Sequence, residues 1–370
     1  MPSVYELRID ELAAHLLGEP RYRVEQVWRG VWDEGLALED ITTVPKVLRQ
    51  RLSETFPPAL EVANEVASDL GATRKWVFRL HDGATIETVL MNYADRVTVC
   101  VSSQAGCAMG CTFCATGQAG FSRQLSVAEV IEQVMFAARV AAPRRLSNVV
   151  FMGMGEPLAN YPVTVGVVQR LHEYRAMSAR HLTVSTVGVA PAIERLAAEG
   201  LPLTLAVSLH AANDQTRDEL VPLNRRYPLE RLYRACETWI ATTSRRLSFE
   251  WALIDGVNDT DQAMHELAEY AGGLRAHVNL IPLNPTPGYL VRGSGSQRVH
   301  EFRLGLEELG VNATVRNTRG RSIDAACGQL AAVTNAHPTR VTLRALHGGA
   351  PEAGSAPRQQ ADSHEAGQTP

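Results

Sequence analysis

Cys107, Cys111 and Cys114 stand in the run GCAMGCTFCATG, a C-x3-C-x2-C spacing. Three thiolates are one short of a closed tetrahedral zinc site or a fully ligated iron–sulfur cluster. They suit a [4Fe–4S] cluster with one iron left open for another ligand. The small residues Gly106, Ala108 and Gly110 would let a loop backbone wrap close to such a cluster. The competing reading is a structural zinc with Cys100 as fourth ligand. Cys100 suits that role poorly, because it falls inside a strand pattern seven residues before Cys107. Of six cysteines, four lie between positions 100 and 114, a concentration that reads as metal or redox chemistry.

Further polar residues follow at intervals. Gly153-Met154-Gly155-Glu156-Pro157 closes a strand pattern, where glycines admit a ligand and a carboxylate can accept from an ammonium. Ser185-Thr186, then Ser208-Leu209-His210, close the next two, and Asn284 lies in NLIPLNP. Taken singly these read as a tight turn, a structural histidine and a turn residue beside Pro285. Recurring at consecutive strand ends, they point into one pocket. Cys327, in RGRSIDAACGQL, has small neighbours that leave its thiol accessible to a bulky reactant, although burial is the commonest fate of a free thiol. Cys236 matches no motif and reads as core.

The elements that must position these groups are legible in outline. To about Val66 the pattern is helical, with helices over Tyr5 to Leu17 and Tyr22 to Trp32 and punctuation at Pro45, Pro57 and Pro58. Lys75 to Leu80 and Thr85 to Tyr93 read as a β-hairpin about Asp82-Gly83. From Val97, strands at 97–102, 148–152, 181–187, 203–209, 248–254 and 277–281 alternate with helices such as 126–140, which opens on a Ser126/Glu129 capping box. The expected fold class is α/β: a partial (β/α)6 barrel over 97–346, a helical accessory domain over 1–70, a linking hairpin over 71–96, and a disordered tail over 347–370 rich in Gly, Pro and Ala. Composition is 45% hydrophobic and 21% charged, as in soluble globular chains, with no membrane-spanning run and no signal peptide, so a cytoplasmic location is expected. The net charge of -4 argues mildly against nucleic acid, but basic residues are grouped at Arg144-Arg145, Arg225-Arg226, Arg245-Arg246 and Arg316, Arg319, Arg321.

The C-x3-C-x2-C spacing with Phe113 before its last Cys resembles the radical S-adenosylmethionine (SAM) superfamily. VSSQAGCAMGCTFC, FMGMGEPL, SLHAANDQTRDELVP, NLIPLNP and RGRSIDAACGQL together resemble the RlmN-type adenine-C2 RNA methyltransferases, from about residue 5 to about residue 346. The resemblance implies a [4Fe–4S] cluster on Cys107, Cys111 and Cys114. It implies SAM contacts at Gly155, Glu156, Ser185, Ser208, Leu209, His210 and Asn284. Met154 departs from the superfamily's GGEP pattern, so only Gly155 and Glu156 carry that motif's role.

The implied chemistry methylates Cys327, turns that methyl into a radical which adds to adenine, and releases product as Cys100 forms a disulfide with Cys327. Glu87 would be the base, although from the residues alone it reads as an exposed strand position. Implied partners are 23S rRNA, certain tRNAs and a flavodoxin-like or ferredoxin-like electron donor. The nearest rivals are the C8-directed sister rRNA methyltransferase, which uses the same cysteines, a radical SAM modifier of protein, and a zinc-bound RNA-binding module without catalysis.

Overall fold

The computed structural model describes residues 3–331, apart from 287, 288, 290, 317–319, 321 and 322. The tail at 347–370 and two grouped arginines, Arg319 and Arg321, lie outside the described residues. At the amino end α1 (Ile9–His15) is shorter than its apolar pattern, while α2 (Tyr22–Trp32) matches it. A third helix, α3 (Lys46–Thr55), begins directly after Pro45 and buries Leu48 and Leu52. A proline that starts a helix punctuates in the same way as one that ends it, which hides the helix from a breaker-based reading.

The helical pattern does not continue to Val66. Leu60–Ser68 is a strand, β1, antiparallel to β2 (Thr73–Leu80). It is an edge strand exposed over most of its length, so it lacks the alternation by which a half-buried strand is recognised. The hairpin from β2 to β3 (Thr85–Asn92) turns at Asp82-Gly83, where Gly83 takes φ +84° and the Asp82 carboxylate accepts the Ala84 amide at 3.1 Å. β3 pairs antiparallel with β4 (Val97–Cys100) and so joins this meander to the main sheet.

A small hairpin of β5 (Gln104–Gly106) and β6 (Phe121–Gln124) encloses the cysteine loop and the short α4 (Ala115–Ala119). Thereafter α5 (Val127–Ala141), β7 (Asn148–Phe151), α6 (Tyr161–Glu173), β8 (Leu182–Thr186), α7 (Ala190–Ala198) and β9 (Thr204–Ser208) alternate. They are followed by α8 (Asp214–Leu220), α9 (Leu229–Thr243), β10 (Ser248–Leu253), α10 (Asp261–Gly273), β11 (His277–Pro282), α11 (Ser296–Glu308) and β12 (Ala313–Val315). The expected capping box holds α5: the Ser126 hydroxyl accepts the Glu129 amide at 3.2 Å and Glu129 accepts the Ser126 amide at 2.8 Å.

The sheet runs β1-β2-β3-β4-β7-β8-β9-β10-β11-β12, with every pair from β4 onward parallel. All six expected barrel strands are present. A seventh, β12, is too short to announce itself by pattern. Among the described residues β12 does not pair with β1, so the barrel is incomplete. One set of alternate strand residues, including Val184, Leu205, Phe249, Trp251 and Val278, packs the apolar core.

Candidate active site

The cysteine loop is held by backbone geometry. Gly106 has φ +81°, and a Cβ on it would lie 2.1 Å from the Gly120 carbonyl oxygen, which also accepts the Cys107 amide at 2.7 Å. The need for glycine at 106 therefore arises from closure of the β5–β6 hairpin rather than from room for a cofactor. Cys107, Cys111 and Cys114 line one cavity. Burial pushes Cys107 up to about 12 and Cys111 well above its ordinary value. Among the described residues no three His, Cys, Asp or Glu side chains converge on a single-ion position. A cluster takes its thiolates on separate irons, so thiols spread round one cavity suit it better than they suit zinc. The zinc reading also loses its fourth ligand, because Cys100 does not line this cavity.

The residues expected to meet SAM gather on the same cavity. Gly155, Glu156, Ser185, Ser208, His210 and Asn284 all line it. Leu209 does not: its side chain is fully buried in the core. Gly155 takes φ +101°, and a Cβ there would lie 2.5 Å from that of Gln104. Met154, the departure from the motif, turns into the core and disturbs neither glycine.

Glu156 is buried, with one oxygen accepting the Leu158 amide at 2.9 Å and the other the Val187 amide at 2.8 Å. Burial raises it to about 7 against those bonds. The Thr186 side chain donates to it as well, which leaves about one of its roughly four acceptor positions for an ammonium, whose charge would restore the carboxylate. His210 sits at φ +61° and accepts the Ala252 amide on Nδ1 at 3.0 Å, which leaves the ring proton on Nε2. Burial first, and then Arg217, hold it down to about 3, so it is neutral. Asn284 donates to the Cys327 carbonyl at 3.3 Å, while its own buried Oδ1 has no partner among the described residues. Three thiols, the remaining acceptor position on Glu156 and the open Asn284 oxygen fit a cluster and SAM.

Arg217 was not legible as a site residue. Charged and placed in a short helix, it reads as surface, yet it is fully buried. It donates to the carbonyls of Leu209 at 3.0 Å and Val187 at 2.7 Å and to Asn224 at 2.8 Å, tying the ends of β8 and β9 together.

Cys100, the last residue of β4, lines a second, smaller cavity with Cys327, and Cys327 lines both. Burial, with the neighbouring Cys327 as second cause, pushes Cys100 up to about 12. The Cys327 turn is pinned onto the cysteine loop, since the Gly328 carbonyl accepts the Ala115 amide at 2.8 Å. Glu87 is 2% exposed, against the expectation of an exposed position. It accepts from Lys75 Nζ at 3.4 Å, and Lys75 also donates to the Asp324 carbonyl at 3.1 Å. Burial raises Glu87, with Lys75 and the Ala331 amide opposing. It lines neither cavity and lies beneath the segment that carries Cys327. Arg316, just after β12, lines both cavities, and its guanidinium is raised above its ordinary value with Cys327 as the first cause. Cys236 is core, as expected.

Residues 101–270 match the model of the Radical SAM superfamily. A Frankia casuarinae protein named "Probable dual-specificity RNA methyltransferase RlmN" is 51% identical over 339 residues, covering 88% of this chain and 80% of that one. A Parafrankia sp. protein of the same name is 52% identical, covering 85% and 87%. The crystal structure of a radical SAM methyltransferase from Sphaerobacter thermophilus superimposes with a TM-score of 0.86 at 48% identity, covering 90% of this chain and all of that one. Relatives this similar along most of both lengths settle the family: the chain belongs to the RlmN-type radical SAM RNA methyltransferases.

Proposed function

We propose that the protein methylates carbon 2 of adenine in 23S rRNA and in certain tRNAs, with Cys327 carrying the methyl group. The observation that supports this most is the cavity shared by Cys100 and Cys327, apart from the three-thiol loop. Carbon 2 lies between two ring nitrogens and is electron-poor, so it will not take a methyl by polar displacement. When bound, the cluster and SAM supply a hydrogen-abstracting radical. Cys107, Cys111 and Cys114 would hold the cluster, and Gly155, Glu156, Ser185, Ser208, His210 and Asn284 would hold SAM, with Leu209 contributing backbone only.

Cys327, on the wall common to both cavities, carries the methyl toward the base. Once the methylene has joined carbon 2 and the adduct has given up one electron, which the cluster would accept, Cys100 attacks the Cys327 sulfur, and the sulfur–carbon bond to the RNA breaks. Its electron pair stays on the methylene, which takes the proton released by the Cys100 thiol to become methyl. Glu87 would remove the proton of carbon 2. From beneath the Cys327 segment it can do so only if that segment shifts as RNA binds. The same reading gives the enzyme a flavodoxin-like or ferredoxin-like electron donor and a cytoplasmic location, where thiols stay reduced. Among the described residues no helix is long and apolar enough to cross a membrane.

The test is anaerobic reaction of the reconstituted protein with SAM, reductant and ribosomal or transfer RNA, read by nucleoside mass spectrometry. The expected product is 2-methyladenosine. A product of 8-methyladenosine overturns the assignment of the carbon. Cys327→Ala should abolish methylation, and Cys100→Ala should leave RNA covalently attached to protein. Free methylated RNA from Cys100→Ala would remove the disulfide step.

A further inference from the structure

Toward their amino ends, the inward faces of the barrel strands have no role in the account so far. A filled barrel packs its interior with bulky branched side chains. Here Thr98, Asn148, Thr183, Thr204, Ser248 and His277 are small or polar, and they border a cavity of about 660 Å³. Arg96 and Arg246, both exposed, precede β4 and β10 and mark its mouth at the amino ends of the strands. Its inner end is formed by Met152, Glu250 and Arg316, and these three also line the cavity that holds Cys327. The carboxyl ends of the strands carry the cysteine loop and the SAM residues, which leaves the amino-end mouth for a second reactant.

Glu250 at that junction is 4% exposed. Its Oε1 accepts from Ser248 at 3.2 Å and Asn279 at 3.3 Å. Among the described residues its Oε2 has no hydrogen-bond partner and only a long ion pair with the Arg316 guanidinium at 3.9 Å. A bare buried carboxylate oxygen is costly unless a donor reaches it. An acceptor beside a donor complements an adenine edge, where an exocyclic amine donates next to a ring nitrogen that accepts. Guanine would turn a carbonyl toward the carboxylate.

We propose that the acceptor adenine enters through the amino-end mouth of the barrel and is read at its inner end by Glu250, which accepts from the exocyclic amine, and Arg316, which donates to a ring nitrogen. Arg96 and Arg246 then meet the RNA phosphates. This inference rests on the reading that the acceptor is an adenine in RNA.

The test pairs two RNAs, one with adenosine and one with purine riboside at the target position, against the wild type and Glu250→Met. With the wild type, loss of the amine should lower kcat/KM by about 10- to 100-fold, the worth of a hydrogen bond to a charged group. With Glu250→Met the two RNAs should be methylated within about twofold of one another, because the partner of the amine is gone. A variant that slows both RNAs by one common factor overturns the assignment of Glu250, as it would if the carboxylate served SAM instead.

If Glu250→Met does not turn over, the same cycle is read from equilibrium RNA affinities with Glu250→Gln, where the preference for adenosine should shrink, and an unchanged preference overturns the proposal. Arg96→Ala and Arg246→Ala should weaken both RNAs equally and flatten the salt dependence of binding, and unaltered affinity overturns entry by this mouth. Wild-type protein that leaves carbon 2 of adenosine unmethylated overturns the underlying reading and this inference with it.

Discussion

Replacing Lys75 with Met isolates the proposed base. The ammonium lies 3.4 Å from the Glu87 carboxylate, and both groups are nearly out of water. At an effective dielectric of about 20 the bare attraction is about 5 kcal/mol, an upper bound before desolvation is counted. Carboxylates beside a close cation are held down by about 1 to 3 pKa units. Burial already raises Glu87, and Lys75 is the foremost opposing influence. Its loss should therefore raise Glu87 further. A base must be ionised to act, so activity is lost as pH falls through its pKa. The acid limb of the pH–rate profile should move to higher pH, and each pH unit below that limb costs about tenfold in rate.

The assay is 2-methyladenosine formation against pH at saturating SAM, with SAM cleavage followed in parallel. The alkaline plateau is the discriminating part. Lys75 also anchors the Asp324 carbonyl, and loss of that bond alone loosens the Cys327 segment by about 1 kcal/mol at every pH. A uniform fall with the limb unmoved would refute the electrostatic argument. Lys75→Arg should keep the limb near its original place.

Glu132, on α5, accepts the Ala59 amide at 2.8 Å and is raised to about 7 by burial. A raised carboxyl favours the fold below its unfolded pKa and loses that contribution as pH climbs through the folded value. Glu132→Gln should then stabilise the protein by about 2 kcal/mol at pH 8 and by nothing near pH 4, measured from denaturant midpoints, and a gain confined to acid would contradict this. Gly106→Ala drives a Cβ against the Gly120 carbonyl at positive φ and should cost roughly 2–4 kcal/mol. Its iron content after reconstitution should fall, whereas Gly110→Ala, with open space around it, should cost about 1 kcal/mol and retain iron. Equal iron in the two variants would mean that the hairpin does not position Cys107.

Local chemistry was legible wherever a short run of chain carried it. The C-x3-C-x2-C loop and the six barrel strands are local in this sense, and each appears where its pattern lies. Residues buried by remote segments were not legible. β3 is buried at every residue from Ile86 to Met91, so its polar positions lose the alternation that would mark an exposed face, and Glu87 is hidden among them. The Asp324–Ala331 region, far along the chain, supplies that cover together with Lys75 from across the hairpin. Arg217 is hidden for the same reason, its ligands being carbonyls from the ends of two other strands. Cys100 and Cys327 stand far apart in sequence, and spacing alone gave no ground to pair them.

A deeper ambiguity lies in the strands themselves. Thr98, Asn148, Thr183, Thr204 and Ser248 alternate with apolar neighbours, a period that fits a strand with one face in solvent as well as a strand facing a lumen. The pattern fixes that one face is polar but not what that face meets. Only sheet curvature, set by helices packed on the other face, turns these residues toward one another. In a closed barrel they would be poor filling for the interior. In an incomplete barrel they become the wall of a polar cavity that ends at Glu250 and Arg316. The residues that look least like an active site in the sequence are therefore those that leave room for a base to reach Cys327.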